Sequence, residues 1–206
     1  MDAMKKAFYA KHDPTIIPLL EKATVGIAGA GGLGSNAAIA LARSGIGKLV
    51  LADFDVVEPS NLNRQQFFLD QIGIPKVVAL KETLVRINPF SSYEINQVTL
   101  DAENIPEIYA DVDIMVEAFD KVEMKLMLVE TWVKHFPLTP LIVGSGIAGY
   151  GGNNQCRTEH YFDHVYVCGD MESDAGLIAP IAPKVTLIAA MQANLVLELL
   201  LDRKHG

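Results

Sequence analysis

Along most of this chain, apolar stretches of strand length alternate with stretches whose apolar positions recur at helical spacing. Residues 24–29, 48–53, 113–118 and 140–146 are short and almost continuously apolar, the pattern of strands buried on both faces of a parallel sheet. Residues 93–100 alternate loosely and read as a further strand, as do residues 164–168. Between them, residues 33–44, 76–87, 121–135 and 184–201 carry helical patterns. Gly45 caps the first of these, Asn88-Pro89 stops the second, and Pro183 opens the last. That last helix is apolar on most faces, which implies burial against the sheet or another subunit. Residues 101–109 read as a short helix, and residues 1–22 as a leading helical arm broken at His12-Asp13-Pro14. Residues 54–66 are polar and carry Pro59, so they predict a long functional loop leading into a short helix. Residues 147–180 are rich in glycine and polar residues. The alternation predicts one α/β domain over residues 1–206. Its mostly parallel, doubly wound sheet is covered on both faces, with a short antiparallel extension near the C-terminus.

The first strand runs into Gly29-Ala30-Gly31-Gly32-Leu33-Gly34, and a helix follows. Gly29, Gly31 and Gly34 fit G-x-G-x-x-G in the setting that gives the motif meaning. The first glycine permits the turn, the second admits a phosphate close to backbone, and the third lets helix pack on strand. Unpaired N–H groups at the helix start favour an anion there. Asp53 ends the second strand about 20 residues beyond Gly34, where an acid that binds ribose hydroxyls is expected. The fold expected is therefore Rossmann-like. The glycine turn and Asp53 alone suit an NAD-dependent oxidoreductase as well as an ATP enzyme.

Composition narrows the partners. Half of the 206 residues are hydrophobic and the mean hydropathy is +0.23, which provides a sizeable core and argues against disorder. Seventeen Lys and Arg against 25 Asp and Glu leave a net charge of −8. That argues against a nucleic-acid or anionic membrane surface. Cys156 and Cys168 make neither a disulfide framework nor a four-cysteine zinc site. The first residues lack the apolar core of a signal peptide, and charges interrupt the longest apolar runs short of membrane-spanning length. A reducing cytoplasm is the expected compartment.

Asn61, Arg64 and Lys76 separate the two nucleotide readings. A dinucleotide site has no need of cations just past the ribose acid, whereas attack by an anion on a triphosphate does. Arg64 offers a planar fork and Lys76 a compact charge.

At these residues the chain resembles the ubiquitin-activating-like adenylyltransferases of the ThiF/MoeB/HesA group. The resemblance is carried by Gly29-Ala30-Gly31-Gly32-Leu33-Gly34-Ser35, Leu51-Ala52-Asp53-Phe54-Asp55, Ser60-Asn61-Leu62-Asn63-Arg64-Gln65-Gln66, Pro75-Lys76, Ile87-Asn88-Pro89 and Glu117-Ala118-Phe119-Asp120. It covers roughly residues 23–152 and looks closest to short ThiF-like proteins that act on the thiamin sulfur carrier ThiS. It implies ATP-dependent adenylylation of the C-terminal glycine carboxylate of a ubiquitin-like carrier ending in Gly-Gly, by a homodimer. It further implies that Gly29, Gly31, Gly32, Gly34, Asp53 and Asp55 serve the nucleotide. Asn61, Arg64 and Lys76 serve the triphosphate, with Arg64, Lys76 and Asp120 catalytic, and Asp120 binds Mg²⁺. Asp120 also stands where it can cap the helix that follows.

The chain departs from that pattern in places. It lacks the two C-x-x-C pairs of many relatives, so no structural zinc is expected. No arginine precedes Arg43, where relatives often supply one from the leading segment; Lys11 and His12 stand there instead. Lys121 and Lys125 stand where the family has Asn and Arg. These changes keep a non-catalytic, nucleotide-binding partner subunit open as an alternative. Residues 144–152 read equally as a backbone bed for a threaded Gly-Gly tail or as an ordinary flexible loop.

Overall fold

The computed structural model describes residues 3–202, except for the side chain of Asp202, so the first two residues of the leading arm lie outside it. Two short helices, α1 (Ala3–Phe8) and α2 (Ile17–Leu20), precede β1 (Thr24–Ala28). Then come α3 (Gly32–Ser44), β2 (Lys48–Ala52), α4 (Lys76–Ile87), β3 (Ser92–Asn96), α5 (Ile105–Ile108), β4 (Ile114–Glu117) and α6 (Val122–His135). The chain goes on through β5 (Leu141–Ser145), β6 (Arg157–Phe162), β7 (Val165–Gly169) and α7 (Ala182–Asp202).

All seven strands form one sheet in the order β3-β2-β1-β4-β5-β7-β6. Every pairing is parallel except that of β6 with β7. The chain winds outward from β1 to β3 and then returns to build β4 and β5 on the other side of β1. The winding reverses between β1 and β4, and a ligand crevice belongs there.

Two apolar layers hold the sheet. On one face Val25, Ile27, Leu49 and Leu51 meet Leu41, Leu80, Leu84 and Ile188 from α3, α4 and α7. On the other, Val50, Met115 and Leu141 meet Ile105, Tyr109, Leu128 and Trp132 from α5 and α6. Each fully buried aliphatic side chain among them contributes roughly 1.5–3 kcal/mol. The Trp132 indole N–H donates to the Thr139 carbonyl at 2.9 Å, and the Tyr109 hydroxyl donates to the Ile27 carbonyl at 3.0 Å. Gly45 caps α3 in the left-handed conformation, at φ 93°.

Three expectations need correction. The strand predicted over 93–100 ends at Asn96, and residues 98–100 leave the sheet to line a cleft. β6 escaped prediction because its residues, Arg-Thr-Glu-His-Tyr-Phe, are exposed apart from the partly buried Glu159 and show no buried face. α7 is long and apolar enough to cross a membrane by length and composition, contrary to the reading that charges interrupt every such run. It packs along α3 and buries Val185, Ile188, Ala189, Gln192, Ala193 and Val196.

Candidate active site

Close backbone packing builds the glycine turn. Gly29 has φ 98°, its N–H donates to the Ala52 carbonyl at 2.9 Å, and a Cβ there would lie 2.9 Å from the Ala118 carbonyl oxygen. A Cβ on Gly34 would collide with the Gly29 carbonyl, so this glycine serves the packing of α3 on β1 and does not line the cleft. Gly31 is the N-cap of α3, and a Cβ there would find only the Gln65 side-chain nitrogen, at 3.7 Å. The first N–H groups of α3 therefore open onto free space, as an anion seat requires.

That space is a cleft of 560 Å³ beyond the C-terminal ends of β1, β2 and β4. Gly29, Gly31, Gly32, Asp53, Asp55, Arg64, Lys76 and Asp120 all line it. Val98, Thr99 and Leu100 form one side, and Ile147, Ala175, Gly176, Pro180 and Val185 form the far wall.

Asp53 ties β2 to the turn. One carboxylate oxygen accepts the Ala30 N–H at 2.7 Å and the other accepts the Asp55 N–H at 2.8 Å. Burial pushes its carboxyl up, against the opposing pull of those two amides and the Lys76 charge. Lys76 opens α4, where its charge opposes the helix dipole. It is 6% exposed, and its ammonium donates to Asp55 at 2.7 Å. A short bridge between Val56 and Pro75 fixes this corner.

The loop carrying Arg64 is gripped by the first turn of α3. The Asn36 side chain donates to the Arg64 carbonyl at 3.0 Å, and the Ser35 hydroxyl accepts the Gln66 N–H at 3.1 Å. The Arg64 guanidinium donates to the Ser60 carbonyl at 3.2 Å and to the Asn63 side chain at 2.8 Å.

Other residues stand differently from the sequence reading. Asn61 is buried and off the cleft lining; its side-chain oxygen accepts the Glu58 N–H at 3.0 Å and shapes the turn before Arg64. Asp120 is exposed at the mouth and makes no helix cap, since the N-cap of α6 is Lys121. Lys121 lines the cleft. Lys125 turns away to the fully buried Glu117, donating to both carboxylate oxygens at 2.9 and 2.8 Å and to the Gly144 carbonyl at 2.9 Å. Glu117 also accepts the Phe119 N–H at 2.6 Å, which sets the turn that presents Asp120. Burial pushes the Glu117 carboxyl up, and Lys125 and the amides only partly offset it.

Gln65 had no assigned role in the sequence reading, although it adjoins Arg64 in the motif. It is 8% exposed, lines the cleft, and has an unpartnered side-chain oxygen. Gly144 and Gly146 are packing glycines, since side chains there would strike Leu33 and Asp170. Tyr150, Gly151 and Gly152 lie exposed beyond them. Cys168 is buried, and burial pushes its thiol up, away from the range of a reactive thiolate. Among the described residues, no three His, Cys, Asp or Glu side chains gather to hold a metal ion.

Comparison with known proteins agrees with this geometry. The chain is 35% identical over 178 residues to a molybdopterin-synthase adenylyltransferase of Haemophilus influenzae, covering 81% of this chain and 71% of that protein. It is 32% identical over 208 residues to a sulfur carrier protein ThiS adenylyltransferase of Bacillus subtilis, covering 95% of this chain but 60% of that protein. It spans 43% of a Dictyostelium discoideum adenylyltransferase and sulfurtransferase MOCS3, at 34% identity. Among solved structures, the E. coli tRNA N6-threonylcarbamoyladenosine dehydratase TcdA in complex with AMP matches with a TM-score of 0.88 over 100% of this chain and 98% of that one. At 20% identity, that likeness speaks for the fold. The ThiF family model matches residues 17–206. With the glycine turn, the cationic loop and the sheet order already in place, the chain belongs to the ThiF family.

Proposed function

We propose that this protein is an adenylyltransferase that activates the C-terminal glycine carboxylate of a ubiquitin-like sulfur-carrier protein, ThiS-like and ending in Gly-Gly. The observation that carries the reading is the convergence of Arg64, Lys76 and Asp120 on the glycine turn in one cleft. A bare dinucleotide crevice gives those two cations no task.

The residues divide the work. The N–H groups at the start of α3 bind phosphate, and the Asp53 carboxylate has lone pairs left for ribose hydroxyls. Arg64 and Lys76 stabilise the charge that builds on the triphosphate. A carboxylate oxygen of the carrier attacks the α-phosphorus as the bond to the bridging oxygen breaks. The products are a carrier acyl-adenylate and pyrophosphate. No general base is needed, because the carboxylate is already ionised at neutral pH. Positioning and electrostatics supply the rate.

Asp120 is the residue to hold Mg²⁺. A lone, exposed carboxylate completed by phosphate oxygens and waters is a donor set that this ion takes. When bound, the ion neutralises phosphate charge.

The B. subtilis relative, a ThiS adenylyltransferase by name, favours a ThiS-like carrier; a place in thiamin thiazole assembly, in the cytoplasm, belongs to the same proposal. A homodimer belongs to the same reading. Much of α7 is spent on the core, so the face to test is the groove along α4, where Phe68, Ile74, Val78 and Val85 stand beside Asp70, Lys81, Glu82 and Arg86.

The test is carrier-dependent exchange of labelled pyrophosphate into ATP. Arg64→Ala is expected to lower exchange by roughly 100-fold or more. Absence of exchange with every Gly-Gly-ended carrier, together with saturable binding of NADH in place of ATP–Mg²⁺, overturns the reading.

A further inference from the structure

A second buried charge pair lies behind the far wall of the cleft. Lys184 sits in the first turn of α7 with its side chain 6% exposed, and Asp170 follows β7 with its side chain 9% exposed. The ammonium's three donors each find an acceptor: the Asp170 carboxylate at 2.5 Å, the Ala148 carbonyl at 2.7 Å and the Ser173 hydroxyl at 3.2 Å. The other Asp170 oxygen accepts the N–H groups of Glu172 and Ser173 at 2.9 and 2.8 Å. Three separate segments thus meet at one cation: the loop after β5, the segment after β7, and the start of α7.

This arrangement carries visible costs. A lysine in the first turn of a helix opposes the helix dipole, and burying two charges costs free energy that their attraction need not return. Met171, directly after Asp170, holds the left-handed conformation at φ 64°. Side chains at Gly146 and Gly169 would strike Asp170 and Ser145, so two glycines are committed to bringing Asp170 to this point. What the pair secures is the segment over residues 171–181. Its Ala175, Gly176 and Pro180 line the cleft opposite the glycine turn. A further stitch, the Gly149 N–H donating to the Ala179 carbonyl at 3.1 Å, joins it to the loop after β5.

We propose that Lys184 and Asp170 are positioning residues that latch segment 171–181 across the cleft, so that the nucleotide finds its far wall already in place. Neither side chain lines the cleft, and both act through the backbone they hold. The proposal rests on the nucleotide reading for its activity arm alone.

The first measurement is hydrogen–deuterium exchange on the free protein, comparing wild type with Lys184→Met and Asp170→Asn. Amides of residues 172–179 are expected to exchange on the order of tenfold faster in both variants, while those of β1, β4 and α3 keep their protection. The second is ATP kinetics. KM for ATP is expected to rise roughly tenfold, with kcat changing much less. Ser173→Ala, which removes one acceptor, gives a smaller change in the same direction and guards against a variant that fails to fold. Unchanged exchange over 172–179 overturns the latch. Faster exchange with an unaltered KM overturns its role in nucleotide binding. Loss of protection throughout the sheet assigns the pair to general stability and equally overturns the proposal. Because exchange is read without substrate, a wild-type protein that binds no ATP counts against the proposed activity and leaves the latch result standing.

Discussion

The two carboxylate–lysine pairs, Glu117–Lys125 and Asp170–Lys184, stand behind the cleft and differ in how deeply the carboxylate is buried. Glu117 is fully buried, and one of its oxygens relies on Lys125 and a long 3.3 Å bond from the Gly144 N–H. Its carboxyl is pushed up. Burial also pushes Asp170 up, but it is less deeply enclosed, and the close ammonium of Lys184 and the amides of Ser173 and Glu172 outweigh that push. They hold its carboxyl well below the usual carboxylate range. Each carboxylate meets one ammonium and two backbone N–H groups, so the lesson is that depth of burial, and not the donor set alone, decides whether a buried carboxylate is at ease as an anion. Backbone supports both; the Glu117 side chain is wholly enclosed, whereas that of Asp170 keeps 9% exposure.

The largest expected effect follows from that depth. Lys125→Met leaves the fully buried Glu117 without its counter-charge, and is expected to cost about 3–5 kcal/mol in urea unfolding. Adding Glu117→Gln to it restores most of the loss. A loss no greater than that of Asp170→Asn would break the comparison. Asp170→Asn itself, with Lys184 keeping its other acceptors, is expected to cost roughly 1–3 kcal/mol.

A pH series sharpens the contrast, because the two acids move in opposite senses. Glu117 is raised in the fold, so the folded state gains protons first. Its contribution shifts in favour of folding as pH falls through the window above about 4.3. Asp170 is lowered, so its stabilising contribution is full above about 3.9 and is lost as pH falls below that value. Unfolding of wild type, Glu117→Gln and Asp170→Asn followed from neutral pH downward is expected to show the two differences running oppositely. The smallest effect on stability is that of Asp120→Asn. Its carboxylate makes no hydrogen bond or ion pair among the described residues, so the urea midpoint stays in place while pyrophosphate exchange falls.

Where the chain announces itself locally, its sequence was readable. The apolar runs of β1, β2, β4 and β5 each needed burial on two faces, and Pro75 and Asn88-Pro89 bracket α4, which runs from Lys76 to Ile87 as read. That the glycine turn, Asp53, Arg64, Lys76 and Asp120 share one cleft was legible because a motif names them all and all but Arg64 stand at or near an element end. What stayed hidden has no local signature. Lys125 pairs with Glu117 across a strand end and a turn, and Lys184 reaches Asp170 from a different element altogether. Nothing in the spacing distinguishes either lysine from a solvated one. Asn61 shows the same limit: its place in the motif was plain, but the bond its side-chain oxygen accepts from the Glu58 N–H has no signature in the spacing.

One contact bears on the order in which the protein comes into being. A Cβ on Gly32 would lie 3.1 Å from a methyl of Val185, so the first turn of α7 leans on the first turn of α3. A ribosome finishes the phosphate-binding turn early, yet the helix that walls it emerges near the end of the described chain. A chain made only as far as β7 therefore lacks the Val185 side of the cleft.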